Sequence, residues 1–166
     1  AIQAPIKILN CNAGFKGRKG TLYEGGIRVP FIVNQPGMVP IQTLDNLIYF
    51  PDMMPTLAAL AKGTKHLPKQ INGINILPLF YGKQVDTDNR LLYWEFPGKQ
   101  RAARKGDWKC VTIHPNQPLE LYNLKEDPEE TNNLAKKYPR RVKEFDEEMQ
   151  RMHIPTPNWP QPGEQF

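Results

Sequence analysis

"GFKGRKGTLYEGGIRVPFIV", residues 14–33, is the stretch on which the reading of this chain turns. Glycines and the cations Lys16, Arg18, Lys19 and Arg28 crowd around Tyr23, and the chain then runs into the apolar "VPFIV". Glycine lets a backbone turn tightly and leaves room around a cation. A short apolar run after glycines suits a strand buried on both faces, ended here by the turn signal Pro36-Gly37. One strand cannot cover its own faces and edges, so 29–33 is expected to belong to a larger sheet.

Working outward, "AIQAPIKILN" at the start reads as a short strand. "FPDMMPTLAALAKG", residues 50–63, reads as a helix stopped by Gly63, with Met53, Leu57, Leu60 and Ala61 on a face to be buried. A proline deep inside a helix costs about 3 kcal/mol, so the regular part is expected to begin near Pro55. From Arg90 onward "RLLYWEF", "QRAARKG", "DWKCVTIH" and "LELYNL" are short aromatic or β-branched segments, separated by Pro97-Gly98, Gly106-Asp107 and Pro115-Asn116. That pattern predicts a small antiparallel meander. In "YPRRVKEFDEEMQRM", Pro139 opens a helix whose stripe of Val142, Phe145, Met149 and Met152 packs on the meander.

The chain has 166 residues, 39% apolar and 23% charged, which fits a soluble globular domain or part of a larger one. A net charge of +5 should attract anions such as sulfate or phosphate esters, acidic glycans or nucleic acid. Against nucleic acid, the basic run "KKYPRRVK" is not interleaved with aromatics in an RNA-binding motif and reads as a solvated face. Cys11 and Cys110 lack zinc spacing and predict no disulfide framework. His66, His114 and His153 are scattered, so no metal is assigned to them. No apolar run is long enough for a membrane span.

"GFKGRKGTLYEGGIRVPFIV", "DMMPTLAALA", "RAARKGDWK" and "LELYNLKEDPEETNNLA", in that order, resemble the C-terminal part of the sulfatase family, within the alkaline phosphatase-like superfamily. The resemblance implies an α/β fold here reduced to an α+β fragment: the end of the core sheet, then a small antiparallel sheet with a packed C-terminal helix. Residues 1–85 would be the end of the core domain, 86–154 the C-terminal subdomain and 155–166 an extended tail. The activity implied is hydrolysis of sulfate esters on glycans or aryl compounds. In the family the lysine of the "KGTLYEGG" stretch reaches the bound sulfate, which here is Lys19. A compact ammonium with three donors suits that task. Trp94, Arg101 and Arg104 become candidates for the side of the pocket that holds the leaving group.

Family members also use a formylglycine from a Cys/Ser-x-Pro-x-Arg motif and a calcium ion held by an early Asp-Asp and a later Asp-Asn pair. This chain has neither the motif nor the early pair, and its Asp45-Asn46 and Asp88-Asn89 lie downstream of Lys19 instead of upstream. The chain is therefore read as the C-terminal portion of a parent enzyme, with calcium and formylglycine supplied by the N-terminal half. Alone it is expected to be inactive. The parent is expected to be periplasmic or secreted. Two alternatives stand beside this reading: a non-catalytic module that binds sulfated polymers, and a phosphoesterase of the same superfamily.

The remaining residues carry plainer expectations. Glu24 pairs with Arg28, and Lys16 and Arg18 are surface charges. "GDWK" is a turn that starts a strand with an aromatic anchor, and "EDPEE" is a solvated turn.

Overall fold

The computed structural model describes residues 12–96, 100–114, 116–157, 160 and 164–165. The strand expected in residues 1–10 lies outside them. Its helices are α1 (Glu24–Ile27), α2 (Met53–Leu60), α3 (Leu77–Phe80) and α4 (Pro139–Met152). The strands are β1 (Leu91–Phe96), β2 (Gln100–Lys105), β3 (Trp108–Thr112) and β4 (Glu120–Asn123). Packing divides the chain into two compact units, one of Ala1–Val29 with Leu91–Phe166 and one of Pro30–Arg90.

In the first unit the strands form the expected meander, an antiparallel sheet in the order β1-β2-β3-β4. Gly106 joins β2 to β3 with φ +55, the sign that a two-residue hairpin needs at its first position. Successive side chains alternate between the sheet's faces, and both faces are covered. On one, Leu22 and Tyr23 pack with Ala102, Val111, Tyr122 and Leu124. On the other, Phe145 and Met149 of α4 pack with Ala103, Cys110 and Leu121. Burying each such large side chain stabilises the unit by about 1.5–3 kcal/mol. Trp108 anchors the start of β3 as expected, meeting Tyr138 edge-on with ring centroids 5.3 Å apart.

The second unit contains α2, α3 and two 3-10 turns, Phe50–Asp52 and Thr64–His66. Its interior is built around Asp52, which is fully buried. Arg90 grips Asp52 with two prongs, Nη1 to Oδ1 at 2.5 Å and Nη2 to Oδ2 at 2.6 Å. The same carboxylate accepts the backbone amides of Tyr49 at 3.0 Å and Ile74 at 2.9 Å. Thr56 Oγ1 donates to Asp52 O at 2.6 Å and accepts from Ile76 N at 3.0 Å, tying α2 to the segment before α3.

Three expectations are corrected in and beside this unit. "VPFIV" is not a buried strand: residues 29–33 form no ladder, with Val29 75% and Ile32 87% exposed. A strand exists through its neighbours, and no described segment supplies a ladder partner to this one. The stripe of α2 is likewise open, with Leu57 58% and Leu60 52% exposed and Ala61 exposed, while Pro55 and Thr56 turn inward. Apolar periodicity marks a face that favours cover without supplying the cover. The helix also begins at Met53, two residues before Pro55. Pro55 is its third residue, where a backbone N–H would have no partner within the helix anyway. Among the described residues, no helix is long and apolar enough to cross a membrane.

Candidate functional site

The glycine-rich loop lies on the sheet face opposite α4 and ends in a tight turn at Arg18–Thr21. Thr21 N donates to Arg18 O at 3.0 Å, while the Thr21 hydroxyl donates to that oxygen at 2.9 Å and accepts from Arg18 N at 3.1 Å. Gly20 takes φ +92, the positive value that a type II turn requires at its third position. Lys19 is the second residue of this turn and is exposed.

Two sets of contacts hold the turn. Gln100, at the start of β2, accepts from Leu22 N through Oε1 at 3.2 Å and donates through Nε2 to Gly20 O at 2.9 Å. Below the loop, α1 presses glycines against its carbonyls. A Cβ on Gly25 would stand 2.6 Å from Lys16 O, and one on Gly26 would stand 2.0 Å from Thr21 O and 2.6 Å from Arg18 O. Both residues must be glycine for that approach.

Glu24, at the start of α1, belongs to a cluster of charges. Strand register places Leu92, Arg104, Lys109 and Tyr122 side by side on the loop-facing side. Like charges directly opposite repel, and two carboxylates answer Arg104 and Lys109. Lys109 is 0% exposed, with Nζ 2.8 Å from Glu24 Oε1 and 2.9 Å from Glu130 Oε1. Arg104 Nη1 stands 3.7 Å from Glu24 Oε2, and its Nε donates to Gly106 O at 3.0 Å. Glu130 Oε2 accepts from Glu24 N at 2.6 Å, whereas Oε1 meets Lys109 at ion-pair distance without hydrogen-bond alignment. Burial raises the Glu130 carboxyl above its ordinary range, with Lys109 opposing that rise.

These contacts correct four expectations. Glu24 pairs with Lys109 and Arg104; Arg28 is exposed and stacks over the Phe15 ring at 4.7 Å. Lys109 is buried, so "GDWK" is more than a turn and an anchor. In "EDPEE", Glu130 is buried while Glu126 and Glu129 are exposed. Asp127 shapes that turn by accepting from Thr131 N at 3.0 Å and Asn132 N at 2.8 Å, which aims Glu130 inward at φ +55. Lys16, finally, is no plain surface charge: it donates to Tyr122 Oη at 2.8 Å and lies over the Tyr23 ring at 4.2 Å. Tyr23 and Tyr122 both donate to Glu120 Oε2, at 2.7 and 2.6 Å. Burial would raise the Glu120 carboxyl, but those two phenols and Lys16 hold it below its usual range.

Of the residues singled out from the sequence, Trp94 and Arg104 project to the face that carries the Lys19 loop, Trp94 packing beside Ala102 and Val111. Arg101 projects to the other face, where its Nη2 lies 3.5 Å from Asp146 of α4. Gln100, Lys109 and Glu130 were not singled out. The signal was the hairpin "QRAARKGDWK": a two-residue turn at Gly106-Asp107 sets Arg104 opposite Lys109, and two neighbouring cations under a loop require carboxylates. Among the described residues no group of three or more His, Cys, Asp and Glu side chains could hold a metal ion. Cys110 is buried in the α4 interface, and burial pushes its thiol up to about 12, which does not suit a nucleophile.

A four-stranded antiparallel sheet backed by a C-terminal helix is the architecture this chain shares with the C-terminal portion of sulfatases of the alkaline phosphatase-like fold. The chain belongs to the family described as "N-sulphoglucosamine sulphohydrolase, C-terminal", which it matches over residues 15–154. It is 32% identical to a sulfatase of Formosa agariphila over 77% of this chain and 28% of that protein. It is 29% identical to an N-acetylgalactosamine-6-O-sulfatase of Bacteroides thetaiotaomicron, over 80% of this chain and 29% of that protein. A solved Bacteroides thetaiotaomicron structure, from work on the metabolism of multiple glycosaminoglycans, matches with a TM-score of 0.75 at 28% identity, over 88% of this chain and 34% of that one. The chain thus spans 28%, 29% and 34% of the length of these three relatives.

Proposed function

We propose that this chain is the C-terminal segment of a sulfatase that removes sulfate from glycans, with Lys19 as its contact to the sulfate group. The observation that carries the reading is the Arg18–Thr21 turn, which leaves Lys19 exposed at the tip of an otherwise immobilised loop. An ammonium carried on a turn whose backbone is fixed is placed to stabilise negative charge developing on sulfate oxygens. Trp94 and Arg104, on the same sheet face, supply an aromatic surface and a cation for the sugar. The likeness to the N-acetylgalactosamine-6-O-sulfatase is what supports a glycan substrate, and likeness to arylsulfatases at similar identity keeps an aryl sulfate in the test.

The calcium ion and formylglycine implied by the resemblance would belong to the rest of the parent protein. The described side chains of this segment do not fit either group, so no step is derived through them. The N-terminal half would also cover the apolar residues left open at 29–33 and on α2, and the parent would be exported.

The test is sulfate release by the full-length parent from sulfated glycans, an aryl sulfate and matched phosphate esters. Release from glycans, lowered about 10²–10³-fold by Lys19→Ala and absent from the 166-residue chain alone, is the expected result. An inactive parent would favour a sulfated-polymer binding module. Activity on phosphate esters alone would make it a phosphoesterase, and full activity in Lys19→Ala would remove Lys19 from the site.

A further inference from the structure

We infer that Lys109, with Glu130, is a positioning residue for Lys19: the buried ion cluster under the loop sets where that lysine stands, acting through Glu24 and α1. The inference deepens the sulfatase reading and rests on it for the role of Lys19.

Stability alone does not account for a charged residue at this place. Lys109 sits between Arg104 and Tyr122 in a row that begins at Leu92, where apolar side chains in place of the whole ion cluster would pack without losing hydration. Buried ion pairs are often no more stabilising than the apolar groups that could replace them. What they add is direction, because a charge accepts its partner in few arrangements. Glu24 is held at two points, its carboxylate by Lys109 at 2.8 Å and its amide by Glu130 at 2.6 Å. Those two points fix the start of α1.

From α1 the constraint passes to the turn through backbone alone. Gly25 and Gly26 lie against the carbonyls of Phe15, Lys16, Arg18 and Thr21 so closely that neither has room for a methyl group. A shift of Glu24 therefore moves Arg18 and Thr21, the two ends of the turn that carries Lys19. Interior packing transmits such shifts because it contains little slack. Misplacement of a reacting group by about 1 Å can cost a hundredfold in rate.

The first test needs no activity. Amide hydrogen exchange is followed in the 166-residue chain for residues 17–27 and for α4, in wild type and in Lys109→Met. Exchange in the loop should rise about tenfold or more while α4, on the opposite face, keeps its protection. Unchanged loop exchange, or a rise shared equally by α4, overturns the inference. Should Lys109→Met fail to fold, Glu24→Gln, which keeps the shape and removes the charge, carries the same comparison: a rise confined to the loop supports the inference, and any other pattern overturns it.

The second test uses the full-length parent and a double-mutant cycle. Lys109→Met should lower kcat about 10–100-fold when Lys19 is present and by less than about 2-fold in a Lys19→Ala background, since a positioning residue has nothing left to position. Equal losses in both backgrounds assign Lys109 a purely structural role and overturn the inference. If Lys19→Ala leaves activity intact, it is the sulfatase reading of Lys19 that fails, while the exchange result stands on its own.

Discussion

The side-chain amide of Gln100 donates to the carbonyl of Gly20 at 2.9 Å, one residue from Lys19 in the chain. Its oxygen accepts from Leu22 N at 3.2 Å, so one side chain bridges the backbone on both sides of Thr21. Gln100→Leu removes both bonds and leaves a buried N–H without its partner. It should destabilise the chain by about 1–3 kcal/mol. Urea unfolding checks this, and a loss below about 0.5 kcal/mol, the size of an ordinary surface substitution, would show that the bridge does not hold the loop.

Gly26→Ala places a methyl group 2.0 Å from Thr21 O and 2.6 Å from Arg18 O. Both are backbone atoms and cannot rotate aside, so the loop must move off α1. A loss of about 1–3 kcal/mol is expected from overpacking. Gly63→Ala is the control, since its Cβ would meet nothing nearer than Ala58 O at 3.7 Å. That variant should stay within about 0.5 kcal/mol of wild type. Equal thermal unfolding of the two variants would contradict the close approach at Gly26.

In the second unit, Asp52→Asn removes the charge that faces both prongs of Arg90. Asp52 is fully buried and its oxygens also receive the Tyr49 and Ile74 amides, so an amide nitrogen in their place would face donors. Breaking a buried pair from one side costs about 3–5 kcal/mol. Chemical denaturation of the variant measures it. A change under about 1 kcal/mol, the worth of an exposed pair, would mean that the pair is open to solvent.

His153 follows α4 with both ring nitrogens on carboxylates, Nδ1 2.6 Å from Glu95 and Nε2 2.6 Å from Glu164. Both nitrogens donate only when the ring is charged. Burial alone would lower the imidazolium's pKa, but the hydrogen bonds and charges of Glu95 and Glu164 raise it above its ordinary 6.5. The folded state therefore holds this proton more tightly than the unfolded one. The contribution is complete below about pH 6.5 and is lost as pH rises through the folded value. Urea midpoints for wild type and His153→Gln should differ most at acidic pH and converge under alkaline conditions. A difference independent of pH would rule out the charged form.

The buried thiol of Cys110, pushed up to about 12 by its burial against α4, should resist alkylation at pH 8 in the native protein. Thiolate is the reactive form. In a Cys11→Ser background, labelling by iodoacetamide should begin only with unfolding; rapid native labelling would show that α4 lifts off the sheet.

Much of the first unit was legible in the sequence. The four strands follow runs of aromatic and β-branched residues between turn pairs, and α4 follows the stripe Val142, Phe145, Met149. Each is a local pattern that repeats with the period of its element. The type II turn was partly legible in the same way, because Gly20 stands where a positive φ is needed. The errors came where a pattern needs a partner. "VPFIV" and the stripe of α2 read correctly as apolar and incorrectly as buried, since among the described residues they stay exposed.

By itself the sequence determined the four strands of the meander, the helices at 53–60 and 139–152, and the family likeness. Tertiary structure alone decided which charges lie inside. Lys109, Glu24 and Glu130 are far apart along the chain and look like ordinary surface residues. They become one buried cluster because strand register, the loop's fold over the sheet and the turn at Asp127 bring both carboxylates within 2.9 Å of the Lys109 ammonium. Ionic attraction inside a protein depends on distance and exclusion of water, and neither quantity is written in residue order.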